Sequence, residues 1–276
     1  MPTYSKALQE HLANYKRSRL GVAEPGTFKY RGQDLPYEHI LPKDLRWLNI
    51  LESIRADVCT YLDQHPSIKL HKFFHHLNSS QAFALNLFFP YFEHKAPTSL
   101  LNAMGLPNDF SDWTPEYVAD TAEGTNVDVA WRSSDGRWTY CEVKLSEQEF
   151  GTAEADKRHH EKLEKIYRPV LSGQCAAELL EPHTFFSHYQ LLRNVWLAAR
   201  DSTSTVVFLV PRANLALWPQ LEPLFERLSP KLRSRVKAVA IEDVLSSLAG
   251  SVDSSPILKS HALNLQEKYV ISGAAA

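Results

Sequence analysis

The chain is poor in cysteine. Its 276 residues include only three, Cys59, Cys141 and Cys175, which are odd in number and far apart. No Cys-x-x-Cys pair and no Cys/His metal spacing occurs, which excludes a disulfide framework and a zinc ribbon. A reducing cytoplasm is the expected home. Long apolar runs are also missing: no stretch approaches the roughly 20 residues of a membrane-spanning helix, so no membrane association is expected. The opening MPTYSKALQEHLANYKRSR has no apolar h-region, and no secretory signal is expected there. Net charge is small, 30 basic against 32 acidic residues and a formal −2. That excludes a uniformly basic, nucleic-acid-coating surface, so any such contact must come from local patches. Gly-x-Gly-x-x-Gly, P-loop and Gly-x-Ser-x-Gly signatures are all missing, which removes support for several unrelated α/β enzyme classes.

What is present is ordinary globular composition, 44% hydrophobic and 22% charged. The length fits one large domain or a domain with a substantial extension. Tyr4 to Arg19 reads as a short polar helix with a basic end, and Gly21 to Pro42 as extended or looped chain rich in Gly and Pro. Leu48, Leu51, Ile54, Val58 and Leu62 recur at spacings of three and four. They predict a helix from about Lys43 to Gln64, ended by Pro66. A further helix is expected from Ser79 to Phe89, with Ser79 or Ser80 as N-cap and Pro90 as its stop. Residues 93–115 read as irregular.

The pattern then turns strand-like. Asn126–Trp131 and Trp138–Leu145 read as apolar strands joined in a hairpin through Ser133-Ser134-Asp135-Gly136. Helices are expected over Glu154–Leu171, Phe185–Arg200, Leu215–Leu228 and Glu242–Leu248. Thr205–Val210, apolar and β-branched, is expected at the sheet centre, with Val236–Ala240 as one more strand. Strands alternating with helices imply α/β organisation.

Three charged side chains on the hairpin stand out. Asp128 sits near the middle of the first strand, and Glu142 and Lys144 lie on the second. Residues two apart on a strand share a face, and the hairpin brings Asp128 alongside. Two carboxylates and an amine on one sheet face suit metal-assisted phosphodiester cleavage. Mg²⁺ takes one or two carboxylates plus waters and phosphate oxygens. A lysine beside it would orient the attacking water or hold the phosphate, its ammonium losing proton affinity near the metal. Spacing alone does not decide the matter, because Glu-x-Lys arises by chance about once in a few hundred positions. Glu93-His94-Lys95 is such a match, outside any strand pattern. Charged strand residues also read as the solvated edge of a sheet.

Asp128 followed by Glu142-Val143-Lys144 resembles the PD-(D/E)XK phosphodiesterase superfamily. Three further stretches resemble a little-characterised bacterial branch of it. Leu77 to Phe88 is similar to that branch's upstream helix. Glu142 to Gly151, with acidic residues and Phe-Gly after the lysine, resembles its extended motif. His188 to Asn194 resembles its later helix, where a glutamine and an arginine face the site. The resemblance covers roughly residues 70 to 210 and has one departure, Val127 where the superfamily often has proline.

The resemblance implies an α/β fold of the restriction-endonuclease-like kind, a mixed β-sheet core flanked by helices. Residues 1–70 would form a helical N-terminal extension and 71–276 the nuclease core. It also implies a Mg²⁺-dependent deoxyribonuclease, in the first instance an endonuclease, with Mn²⁺ expected to substitute and DNA as partner. Asp128 and Glu142 would bind metal, the Val143 carbonyl would add a ligand, Lys144 would assist the attacking water, and Gln190 would join the catalytic group. Cleavage of both duplex strands would call for a homodimer. The alternative is a nuclease-fold module that binds nucleic acid or a protein partner without cutting. An intact Asp128/Glu142/Lys144 set argues against it.

Other positions have two readings. Glu123 is a third metal ligand or a turn residue beside Gly124. Gln190 and Arg193 share a helix face that holds water or phosphate, or is polar surface. Glu147 and Glu149 are extra carboxylates near the metal or surface charge. His71 and His75 are spaced like a helical metal pair, but no Glu or Cys accompanies them and they read as structural. His159-His160-Glu161, beside Lys157 and Arg158, reads as a solvated face. Basic clusters at 16–19, 29–31 and 231–237 are the candidate patches for DNA, the last equally a charge-protected strand edge.

Overall fold

A computed structural model describes residues 3–251 and 255–271. The chain forms two compact units, one of residues 1–108 with 240–276 and the other of residues 109–239. This differs from the division at residue 70 read from the sequence.

In the first unit, helix α1 (Tyr4–Arg19) has the expected bounds. Thr3 caps it by accepting from the Lys6 amide, and its basic last turn complements the helix dipole. The stretch expected as loop contains an antiparallel hairpin, β1 (Gly26–Tyr30) and β2 (Gln33–Tyr37). Arg31 and Gly32 both have positive φ, 49° and 86°, as a tight two-residue connection requires. A Cβ on Gly26 would stand 2.3 Å from the Leu41 carbonyl oxygen, so only glycine fits there.

The helix expected over 43–64 is two elements, a 3₁₀ turn at Lys43–Asn49 and α2 (Glu52–Gln64). Ile50 and Leu51 are extended between them, and the Leu51 amide donates to Asn86 Oδ1 at 2.8 Å instead of to a helical carbonyl. Helix α3 (Ser80–Phe92), capped by Ser79, runs past Pro90, where the sequence predicted a stop. Proline removes an i→i−4 donor. The carbonyl left over, that of Asn86, accepts from His261 Nε2 at 2.8 Å. Helix α4 (Thr98–Ala103) lies in the segment read as irregular.

The second unit holds a five-stranded sheet in the order β3-β4-β5-β6-β7. Its strands are β3 (Asp112–Asp120), β4 (Thr125–Arg132), β5 (Trp138–Val143), β6 (Thr205–Val210) and β7 (Val236–Ala240). The first three pair antiparallel and β5 pairs parallel with β6, so the sheet is mixed, as expected. From Val206 to Val210 every β6 side chain is buried. Strand β3 has no counterpart among the sequence-based elements. It contains Pro115, which an edge strand tolerates and a central one does not.

Helices flank the sheet. The run expected over 154–171 is α5 (Lys157–Lys162), a π turn at Leu163–Tyr167 and α6 (Arg168–Leu171). A 3₁₀ turn at Ala177–Leu180 precedes α7 (Pro182–Ser187) and α8 (Tyr189–Ala199), which part at His188. Helices α9 (Trp218–Glu226) and α10 (Pro230–Arg233) lead to β7. Phe150, Tyr167, Phe185, Leu192, Trp196 and Phe208 are among the core side chains of this unit. Helices α11 (Ile241–Gly250) and α12 (Pro256–Tyr269), the latter not anticipated, return the chain to the first unit. Among the described residues no helix is long and apolar enough to cross a membrane, and all three cysteines are free.

Candidate active site

The β4–β5 hairpin places Asp128 and Glu142 as cross-strand neighbours. The paired register runs from Arg132 and Trp138 to Val129 and Cys141, one step short of them. There the Asp128 side chain replaces the backbone ladder, and the Val143 amide donates to Asp128 Oδ2 at 2.7 Å. Strand β5 stays anchored on its other side, where Lys144 N donates to the Leu209 carbonyl at 3.0 Å. The hairpin therefore opens on the side that carries the carboxylates.

Glu142 is buried and held at both oxygens. Its Oε1 accepts from Gln190 Nε2 at 2.5 Å and lies 3.0 Å from the Lys144 ammonium, and its Oε2 accepts from Asn194 Nδ2 at 3.2 Å. Lys144 Nζ also donates to Gln190 Oε1 at 3.1 Å. Charge-assisted bonds of this kind are roughly twice as strong as neutral ones, and the amide of Gln190 ties the base and the acid together. Glu142 and Lys144 do share a face, as their spacing predicts.

Electrostatics mark the group as strained. Burial, then the negative charges of Glu142 and Glu116, push the Asp128 carboxyl well above the usual carboxylate range. Burial pulls Lys144 down, but the charges of Glu142, Glu147 and Asp128 outweigh it and the net shift is upward. The loss of proton affinity expected of this lysine is thus not a property of the protein side chains alone. The donor set is oxygen-only and its carboxylates repel one another. A small hard divalent cation fits such a set. Among the described residues no group of three or more His, Cys, Asp or Glu side chains is placed to hold a metal. Two carboxylates, those of Asp128 and Glu142, are the side-chain share that this group could offer to an ion, a number that Mg²⁺ commonly takes.

The Phe-Gly end of the extended motif has a physical reason. Phe150 is buried against Phe208, ring centroids 5.5 Å apart. The Gly151 carbonyl accepts from the Gln190 amide at 3.0 Å. A Cβ on Gly151 would lie 3.1 Å from Gln190 Oε1, the atom that receives Lys144. Glycine lets the loop close on α8 without displacing that amide.

The structure brings Asp128, Glu142, Val143, Lys144 and Gln190 together. Glu123 keeps other company: its Oε1 accepts from Tyr167 Oη at 2.5 Å, Tyr189 Oη at 2.9 Å and Lys162 Nζ at 2.9 Å. The π turn presents Tyr167 to it. Glu147 adds negative charge at Lys144, and its Oε2 accepts from Leu145 N at 2.7 Å. Asn194, one turn on from Gln190, reaches Glu142, whereas Arg193 Nε is buried without a hydrogen-bond partner. The spacing of four between Gln190 and Asn194 was the sequence signal for Asn194. Glu116 was also missed. It lies on β3 between the Pro115–Val129 and Tyr117–Val127 pairs, opposite Asp128, with a φ of 52°. A non-glycine residue held there stores strain of a kind that clusters at functional sites.

The basic residues of the 16–19 patch, and Arg235 of the 231–237 patch, are used internally. Lys16 is buried and donates to the Glu24 and Ile40 carbonyls, and Arg17 pairs with Glu38 at 3.1 Å. Arg19 pairs with Glu267, and Arg235 donates to the carbonyls of Ala198, Asp201 and Ser204.

No curated protein and no solved structure matches the chain. A family model does, over residues 9–270, nearly the whole length. That span takes in the mixed sheet, the Asp128–Glu142–Lys144 group and both units, and the chain belongs to the restriction-endonuclease-like family described as REase-ARP, restriction endonuclease associating with ARP.

Proposed function

We propose that the protein hydrolyses phosphodiester bonds in DNA at the Asp128–Glu142–Lys144–Gln190 group, with Mg²⁺ as cofactor and Mn²⁺ able to replace it. The carrying observation is the convergence of two carboxylates and one ammonium, each held by named partners, where the β4–β5 ladder opens. Membership of a restriction-endonuclease-like family supports a nuclease role and DNA as the substrate class. A bound divalent ion would supply Lewis-acid stabilisation of phosphate charge and a water of lowered pKa.

The chain's own residues do the rest. Asp128 and Glu142, with the Val143 carbonyl, would hold the ion. Gln190 and Asn194 fix the Glu142 carboxylate in orientation, and Gln190 also fixes the Lys144 ammonium. Lys144 would then face a phosphate oxygen or the attacking water as a donor, which its raised pKa favours. Incubation of plasmid DNA with Mg²⁺ or Mn²⁺ tests this. Wild type nicks or cuts, and Asp128→Ala and Lys144→Ala each lose about a hundredfold or more of the rate. Equal cleavage by wild type and both variants would overturn the assignment.

A further inference from the structure

The turn between β3 and β4 is tied to helix α8 at both of the helix's ends. At the N-terminal end, Tyr189 Oη donates to Glu123 Oε1 at 2.9 Å. At the C-terminal end, the Arg200 guanidinium donates to Asp120 Oδ2 and to the Ala119 carbonyl, each at 2.8 Å. The turn holds these acceptors in fixed relation. Asp120 Oδ1 accepts from the Glu123 amide at 2.7 Å, and the Asp120 carbonyl accepts from the Gly124 amide at 2.9 Å. Gly124 has a φ of 77°, which glycine adopts without strain. Tyr189 and Arg200 stand eleven positions apart. That is about three turns and about 16 Å of helix, so both project from the same side.

Glu123 is buried, and its side-chain bonds converge on one oxygen. Oε1 also accepts from Tyr167 Oη at 2.5 Å and from Lys162 Nζ at 2.9 Å, and the same ammonium reaches the Glu123 carbonyl. Among the described residues Oε2 has no hydrogen-bond partner. The three donors to Oε1 come from α5, the π turn and α8, all in the helical layer. π turns are rare and recur at functional sites. Taking an ion pair out of water costs free energy that its mutual attraction offsets only in part, and apolar side chains often hold such a space equally well. What the charged cluster adds is a fixed geometry between the turn and the helix.

The helix so held carries Gln190 and Asn194, which bind the two oxygens of Glu142, and Gln190 also receives Lys144. We propose that the β3–β4 turn is a two-point latch on α8, with Glu123 a positioning residue that sets Gln190 and Asn194 against Glu142 and Lys144. An anchor at one end would leave the helix free to tilt. Anchors at both ends, on one side, fix its axis and its rotation. Glu123 acts through Tyr189: among the described residues it makes no bond to Asp128 or Glu142 and joins no metal-holding group. The effect on cleavage rests on the nuclease reading above, whereas the latch itself does not.

Two measurements on the full chain test this, one of them independent of cleavage. Tyr189→Phe and Arg200→Gln each remove one anchor, and Tyr167→Phe removes a bond to the same Oε1 from outside α8. Thermal melting checks that each is folded. Hydrogen exchange in EDTA, read by mass spectrometry on peptides spanning 186–194, follows the Gln190 amide that the Gly151 carbonyl holds. Tyr189→Phe is expected to speed exchange there about tenfold, as loss of a bond to a charged group does, and Tyr167→Phe to leave it as in wild type. In DNA cleavage with Mn²⁺, Tyr189→Phe and Arg200→Gln are expected to lower kcat about tenfold with KM unchanged, because only alignment in the transition state is lost. A merely structural cluster would lower the melting temperature alone. Glu123→Gln combined with Lys162→Met keeps an acceptor for both tyrosines, removes the paired charges and is expected to keep the Mn²⁺ affinity of wild type. Wild-type exchange or wild-type kcat in folded Tyr189→Phe, an equal effect in Tyr167→Phe, or loss of Mn²⁺ binding in the double variant would overturn the proposal. Faster exchange in Tyr189→Phe of a protein that never cuts DNA supports the latch and removes only the nuclease reading.

Discussion

At the scale of single residues the candidate site is a balance of opposed charges. Asp128 is held beside Glu142 and Glu116, and its carboxyl is raised by burial first and by those charges second. A raised carboxylate binds protons more tightly folded than unfolded, so its contribution to stability falls as pH rises above its unfolded value. Asp128→Asn keeps an oxygen for the Val143 amide and removes one of the repelling charges. In metal-free buffer at neutral pH it is expected to raise the melting temperature by about 2–4 °C; a lower melting temperature would contradict the electrostatic account. The histidines give a change of opposite sign. Burial lowers His39 from 6.5 to about 4. The unfolded chain takes up that proton first, so stability present above 6.5 is lost as pH falls from 6.5 towards 4. The loss is on the order of 3 kcal/mol. Melting temperatures of wild type and His39→Gln, followed from neutral pH to about pH 5, should converge as acid removes the advantage of the neutral imidazole.

At the scale of elements, the site is made by a hairpin that opens and a helix that closes on it. Strand β5 is fixed to β6, and α8 is fixed to the loop after β5 by the bond between Gln190 N and the Gly151 carbonyl. Gly151→Val would push on Gln190 Oε1 and move the amide that aligns Lys144 and Glu142. Displacement of such a group lowers turnover steeply, here by about tenfold in kcat with KM and melting temperature little changed. Steady-state kinetics on a short duplex would check it, and an unchanged kcat would remove Gln190 from the catalytic group.

How much of these elements was legible follows from the same physics. Helix α1, β6 and β7 were readable to the residue because polar, β-branched and alternating patterns left one solution. Two elements were reshaped by side chains acting at a distance, and a third was masked by its own proline. The amide of Asn86 draws Leu51 out of a helix, His261 lets α3 continue past Pro90, and Pro115 disguises β3. Asp128, Glu142 and Lys144 were legible from strand alternation. Asn194 had its spacing from Gln190 as a signal, but its reach to Glu142 depends on where α8 packs, and Glu116 lies on a strand that proline concealed.

At the scale of the whole molecule, the candidate site belongs to one of the two compact units: residues 109–239 contain the sheet and the Asp128–Glu142–Lys144 group, and residues 1–108 with 240–276 form the other. The family match covers both units. The central claim, that two carboxylates on the opened hairpin hold a divalent ion for phosphodiester cleavage, is reached most directly by calorimetric titration of Mn²⁺ into wild type and into Asp128→Ala. Wild type is expected to bind saturably, with one ion per chain as the minimum, and the folded variant to lose that binding. Equal Mn²⁺ binding by the two proteins, or none by wild type, would contradict it.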